Sequence, residues 1–460
     1  MGNRAQAVIF YNQAVQAVGD RSNTTNASTA WQLFAAACFA DPTWHQAFLT
    51  FGNNAFDLER RTAAIAAYRR CLACDPPPLD RAKALCNLGW ALHADGQTQK
   101  AYTALQESIA LDSNNPATHI NLANVYGIMD QPALAVKAAQ RGYDLDPNDP
   151  TNEVVYAFSL LFNRNLAEGF KHFESRFKWK LHSFLQYPYP KWRGEAGKTV
   201  FLVADQGLGD TISFSRFVRA AAKRAKFIQC YIQPELMRLF MHAFVDVPNL
   251  NLLPFGSTFP EADAWSTFVS LPFALGLSDE EIRSAPDIEC PRVSLPTTWL
   301  VPDQKLHIGI AWAGSTLNNI NGHRSIPVEM FAELYRVPGV QLYSLQVGER
   351  AEDANAAGMS GLVRNLVPYV RDVVDTVALM RDLDLIITCE SALGHIAAMV
   401  GKECWIPYSY LGRDYRLGHA GKDRLWAPHH RVFRQGQDMQ WRPVFDKIVE
   451  ALREKIGRKS

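Results

Sequence analysis

The chain has 460 residues, is 48% hydrophobic and carries a net charge of +1, the profile of an ordinary globular protein with two or three domains. Balanced charge gives no support for a nucleic-acid partner, which would want a basic face, and no apolar run approaches the roughly 20 residues needed to span a bilayer. Eight cysteines without framework spacing, and no secretory leader, fit a reducing cytoplasm.

The first third is repetitive. Asn87-Leu88-Gly89 recurs as Asn121-Leu122-Ala123, one 34-residue period on, as Ala101 recurs at Ala135, and Gly169 stands a further period beyond. Asp-Pro-type endings fall at Asp41-Pro42, Asp75-Pro76, Asp112-Ser113 and Asp146-Pro147. The period resembles the tetratricopeptide repeat, a helical hairpin whose small residues let paired helices close up. Units are expected from about His45, Ala82, Pro116 and Pro150, with a proline stopping the second helix of each. An irregular unit precedes them, split by a polar loop at Gly19 to Ser28, and Pro77 to Arg81 reads as an insertion. A solenoid over residues 1–180 would engage a protein or glycan-bearing acceptor on its concave side, or else prop up or dimerise the second half. Cys71-x-x-Cys74 lacks a histidine cluster and reads as buried helix packing, not as a metal site.

Trp179 to Trp192 is rich in aromatics and prolines, an ordered connector whose rings should pack at a domain junction; a sugar platform is the alternative. Strand-like and helical runs then alternate. Lys198 to Arg224 gives a strand, a Gly207-Leu208-Gly209-Asp210 turn and a helix from Thr211. Strands follow at Phe227 to Gln233, Leu250 to Pro254 and Thr267 to Leu271, with a helix at Pro234 to Phe244. Beyond a loop at Ser278 to Pro302, strands are expected at His307 to Ala313, Val340 to Leu345, Leu385 to Cys389 and Glu403 to Pro407. Helices are expected at Val328 to Arg336, Val373 to Leu383, Ala392 to Val400 and Pro443 to Ile456. Two such sets imply two doubly wound α/β domains, over 181–300 and 301–460, facing a cleft. The Gly207-x-Gly209 turn is not the dinucleotide fingerprint, since Ile212 stands where a third small residue is required.

Four segments, ADQGLGDTISFSRF, GIAWAGS with HRSIP, YSLQVGE and ITCESALGHIAAMVGKECW, together resemble tetratricopeptide-containing glycosyltransferases. These are similar to the bacterial heptosyltransferases and, more remotely, to protein O-GlcNAc transferases. The resemblance implies the GT-B fold, an acceptor-side Rossmann-like domain followed by a donor-side one, with the last helix packing back onto the first. It implies an inverting, metal-independent transfer that uses a nucleotide-diphospho-sugar as substrate and no cofactor.

On this resemblance Asp210 matches the catalytic aspartate; the local alternative is a helix cap, which Asp suits equally. Gln206, Gly207 and Gly209 form the acceptor-side loop around it. Donor binding falls to Ser315, Arg324, Ser325, Gln346, Glu390, Ser391 and His395. Arg324 offers a planar fork for a diphosphate, against the alternative of a solvated loop residue, and replaces the lysine frequent in the family. Ser391 starts a helix, whose N-terminus favours anions; Glu390-Ser391 stands where Asp-Thr is usual. His395 contacts phosphate or sugar, or is a core histidine, and Gln346 reads the base or ribose. Asp382-Leu383-Asp384 reads as a solvated strand entry. The expected function is sugar transfer to an acceptor engaged by the repeats. The alternative is a non-catalytic adaptor with a degenerate transferase domain, and the architecture leaves homo-oligomerisation open.

Overall fold

The computed structural model describes residues 2–19, 24–178, 187–296, 298–302, 306–314, 324–418 and 424–457. The chain divides into two compact units, Met1–Ser159 and Leu160–Ser460.

The first unit is a run of helical hairpins. Its helices span Arg4–Gly19, Thr24–Ala40, His45–Asp57, Arg61–Ala73, Pro78–Ala94, Thr98–Leu111, Pro116–Ile128 and Pro132–Leu145. Pro150–Phe162 follows across the unit boundary. The periodic small residues sit where helices touch: Ala101 is fully buried and Ala135 nearly so. A Cβ on Gly89 would lie 2.6 Å from Leu105 Cγ, so only glycine lets that pair close. As expected, Pro42, Pro76 and Pro147 follow closely on the ends of the second helices Thr24–Ala40, Arg61–Ala73 and Pro132–Leu145. Pro78, Pro116 and Pro132 lie in the first turn of their helices, where the missing N–H has no intrahelical partner to lose. These three open their helices, Pro116 where a unit was expected to begin. The extra residues expected at Pro77 to Arg81 form an added first turn: this helix begins at Pro78, before Ala82, and has 17 residues where Pro116–Ile128 has 13. The second helix likewise starts at Thr24, inside the expected polar loop. Cys71 is fully buried beside Ala37 and Phe48.

The second unit contains two wholly parallel sheets. The first joins β1 (Thr199–Val203), β2 (Phe227–Ile232), β3 (Leu250–Pro254) and β4 (Ala264–Thr267) in the order β3-β2-β1-β4. The second joins β5 (Leu306–Ala311), β6 (Val340–Ser344), β7 (Val363–Asn365), β8 (Leu385–Thr388), β9 (Cys404–Tyr408) and β10 (His430–Arg434) in the order β10-β9-β8-β5-β6-β7. Parallel strands covered on both faces are apolar throughout, and every residue of β8 and β9 is buried. Short strands β7 and β10 were not anticipated. Thr267 ends its strand; Phe268–Ser270 is a 3-10 turn and Leu271–Ala274 a helical turn, with Pro272 suited to a helix start. Val328–Arg336 is 3-10, not α.

The closing helix, Arg442–Gly457, contradicts the expectation that it returns to the first sheet. Its buried Val444, Phe445, Ile448 and Leu452 belong to the core of the second sheet, where Phe445 meets Phe331 edge-on at 5.1 Å. Burying each such side chain contributes about 1.5–3 kcal/mol, and Arg442 and Arg336 both pair with Glu333 alongside. The connector's residues 179–186 lie outside the described residues. Tyr187 and Tyr189 pack on Phe201 of β1, while Trp192 is buried and its main-chain N–H donates to the Trp265 carbonyl at 2.7 Å. Asp384 is not merely solvated: its Oδ2 accepts from the His307 N–H at 2.7 Å, pinning β8 to β5. Among the described residues no helix is long and apolar enough to cross a membrane.

Candidate functional site

The carboxyl end of β1 runs through Asp205 and Gln206 into a helix at Leu208–Phe214. The helix starts three residues earlier than expected, capped by the backbone of Gly207, whose carbonyl accepts from the N–H groups of Asp210 and Thr211 at 3.0 and 3.1 Å. Asp210 therefore stands in the first turn, not at the cap, and its side chain remains 29% exposed. Gln206 accepts from Gln233 through its main-chain carbonyl. Gly209 faces His395. A Cβ there would lie 2.3 Å from His395 Cδ2, so the missing side chain makes room for that imidazole.

Arg416 holds Asp210. Its Nη1 donates to Asp210 Oδ1 at 2.8 Å, while its Nε and Nη2 donate to the two oxygens of Asp414 at 2.8 and 2.9 Å. Asp414 also accepts from the Arg416 N–H at 2.9 Å, capping the Tyr415–Leu417 turn. The guanidinium is thereby fixed by one carboxylate and presented to the other. Burial raises the Asp210 pKa, with the Asp414 charge adding to it and Arg416 opposing. Asp414 is held low by Arg416 against its own burial.

The second turn follows β8. Ser391 is at the N-cap of the Ala392–Met399 helix, but its hydroxyl does not cap; it shares a hydrogen bond with Thr388 Oγ1 at 2.9 Å. Glu390 Oε2 is buried without a hydrogen-bond partner among the described residues. Burial pushes its pKa up to about 7, the Asp414 charge adds to this, and Arg324, Arg416 and Arg434 oppose. The Arg324 guanidinium lies over Gly314, where a Cβ would come within 2.6 Å of Nη2. His395 pairs through Nδ1 with Ser213 Oγ at 3.0 Å, and its Nε2 lies 3.8 Å from Asp414 Oδ2. Burial, reinforced by Arg416, drives its pKa down to about 3. It is a neutral ring at physiological pH and brings no charge to a phosphate.

These groups surround a cavity of about 20 Å3 lined by Ser213, Glu390, Ser391, His395, Arg416 and His430, among others, the space of about one water. The cavity thus brings Glu390, Ser391 and His395 together, while Asp210 reaches it through Arg416 and Arg324 acts on Glu390 by its charge. Gln346 is placed elsewhere: its Oε1 accepts from the N–H groups of Trp312 and Ala313 at 3.0 and 2.9 Å, and its Nε2 donates to the Val347 carbonyl. Its amide shapes the loop after β5. Ser315 lies outside the described residues; Ser325 is half-buried beside Arg324 in sequence.

Several neighbours escaped sequence reasoning. Asp414 and Arg416 are one, and the signal was Asp414-Tyr415-Arg416 within LGRDYRLG. Arg216 is another, nearly buried, donating to the Ala285 carbonyl at 2.8 Å and to Asp287, with Trp426 stacked 4.3 Å away. A third is the buried Arg176, which joins Asp205, Glu174, Thr267 and Ser270 directly beneath the first turn.

Residues 82–115 match the family model described as tetratricopeptide repeat. No curated protein matches the chain. Among solved structures, the chain is similar to a MamA protein at 19% identity, covering 40% of this chain and 98% of that one with a TM-score of 0.32. A thermophilic tetratricopeptide protein of Thermus thermophilus is similar at 14% identity, covering 39% and 93% with a TM-score of 0.33. An O-GlcNAc transferase mutant of Thermobaculum terrenum is similar at 16% identity, covering 90% and 92% with a TM-score of 0.30. Scores of this size carry no inference about activity. The chain is a run of tetratricopeptide-like helical repeats followed by an α/β region built on parallel sheets.

Proposed function

We propose that the α/β unit is an inverting glycosyltransferase that moves a sugar from a nucleotide-diphospho-sugar to an acceptor hydroxyl, with residues 181–300 on the acceptor side and 301–460 on the donor side. Tetratricopeptide repeats are protein-interaction scaffolds, and the repeats would present the protein or glycan acceptor. One observation carries this reading. A carboxylate of raised pKa at the end of one parallel sheet, Asp210, meets through Arg416 the anion-favouring helix start at Glu390-Ser391 of the other.

Asp210 would take the proton from the acceptor hydroxyl as the bond to the anomeric carbon forms. Arg324 and the start of the Ala392–Met399 helix would offset the charge left on the departing diphosphate. Ser391, whose hydroxyl pairs with that of Thr388, would donate to a phosphate oxygen. Neutral His395 would fill space and orient Ser213, and Gln346 would hold the Trp312–Ala313 main chain in shape.

A second reading, a non-catalytic scaffold, has its own observation: Arg416 already occupies Asp210 Oδ1, and the cavity beside it holds about one water. A panel of nucleotide-sugars separates the two. Transfer requires nucleoside diphosphate release from at least one donor; neither binding nor release of any donor would leave the scaffold.

A further inference from the structure

We propose that the exposed aromatic face of the first sheet is a carbohydrate-binding platform that stacks one or two neutral pyranose rings. The inference concerns binding alone and stands whether or not the unit transfers sugar; if it does, the platform would hold the acceptor glycan.

Strand β2 alternates: Ile228, Cys230 and Ile232 are fully buried on one face, while Gln229 and Tyr231 are half-exposed on the other. On that second face Tyr231 packs against Phe255 at a 45° tilt with ring centroids 4.9 Å apart, and Phe259 lies edge-on to Tyr231 at 5.8 Å. Phe201 of β1 forms the floor beneath them, 5.6 Å from Phe259. Phe255 and Phe259 remain 39% and 58% exposed, although rings of this size are ordinarily buried in the absence of a partner. Beside them runs an amide pair: Gln229 sits next to Phe201 in register, and Asn251 Nδ2 donates to Gln229 Oε1 at 2.9 Å.

Rings flanked by planar amides match sugar chemistry. The C–H face of a pyranose presents partial positive charge to the negative face of a ring, and its hydroxyls both donate and accept, as a carboxamide does. Extent also decides. At roughly 200 Å² per aromatic side chain, the two exposed fractions sum to about 200 Å², far below the roughly 800 Å² per partner of a stable protein interface. One or two sugar rings fill such an area; a second copy of the chain does not. The side chains that form the platform, Phe255, Phe259, Tyr231, Gln229 and Asn251, are uncharged at neutral pH, which favours a neutral glycan over an acidic one.

The test is titration of the full chain with neutral gluco-, galacto- and manno-configured oligosaccharides, without donor, read by saturation-transfer NMR and calorimetry. Wild type should bind at least one of them in the millimolar range or tighter. Phe259→Ala should weaken that binding by about tenfold, Phe259→Trp should restore it, and Gln229→Ala should weaken it without shifting the melting temperature. Absence of binding to any oligosaccharide, or binding that Phe259→Ala and Phe259→Trp leave unchanged, would overturn the platform. So would concentration-dependent dimerisation abolished by Phe259→Ala, which would assign the face to a second copy. Nucleoside diphosphate release by the wild-type chain without acceptor, measured separately, reports on the transfer reading independently.

Discussion

The turns after β1 and β8 occupy the same place in their two sheets, a strand carboxyl end opening into a helix, and each carries a carboxylate. Their electrostatics differ. Asp210 receives a charge-assisted hydrogen bond from Arg416, whereas Glu390 Oε2 receives none among the described residues and its pKa is pushed up to about 7. Burial raises both, so the distinction comes from where one guanidinium points. Each strand end here carries an acid; the Asp414–Leu417 segment decides which of them receives the guanidinium. Environments that separate two carboxylates in this way are how one site obtains distinct proton roles.

The comparison breaks most severely if Arg416 is removed. Arg416→Met leaves Asp414, 8% exposed, as an unpaired buried charge, and should cost about 3–5 kcal/mol in a urea melt; a loss below about 1 kcal/mol would mean that the pair does not hold the two turns. Next, Asp210→Asn should keep donor affinity and lower nucleoside diphosphate release by about a hundredfold, since the amide keeps the shape but cannot take a proton. Equal rates would erase the functional difference between the turns. Arg324→Ala, on the Glu390 side, should weaken nucleoside diphosphate binding by about tenfold while sparing the nucleoside, which calorimetry with both ligands reads.

The smallest effect is a matter of pH. Because the folded Glu390 carboxyl has its pKa raised from 4.5 to about 7, the folded state binds the extra proton between those values, and stability falls as pH rises through them. Glu390→Gln should melt like wild type near pH 4 and several degrees higher above pH 7. A Glu390→Gln advantage that is the same at both pH values would mean that no titration underlies it.

What the sequence made legible was local. Gly207 to Asp210 and Glu390 to His395 are strand-to-helix turns, and their period changes and glycines are visible over a dozen residues. The hairpins were legible for the same reason, from Ala101, Ala135 and Gly89. The starts at His45, Pro116 and Pro150 were legible too; only the one expected at Ala82 lies a turn late, because the extra turn from Pro78 falls outside the repeat period. Arg416 was hidden because its partner Asp210 lies 206 residues away. The contacts of Gln346 were not legible because a polar side chain at a strand end serves a ligand or the neighbouring main chain equally well, and here it bonds Trp312 and Ala313. Strand β7, three residues long, is too short for alternation to register.

The central claim is a single displacement in which Asp210 deprotonates the acceptor while the diphosphate leaves from the opposite side of the sugar. Its most direct test is the anomeric configuration of the product, read by proton NMR as wild-type protein consumes a nucleotide-sugar, with water or an oligosaccharide as acceptor. The account predicts a product whose anomeric configuration is opposite to that of the donor, formed together with nucleoside diphosphate and lost in Asp210→Asn. Retained configuration, or an inverted product formed equally fast by Asp210→Asn, would contradict it.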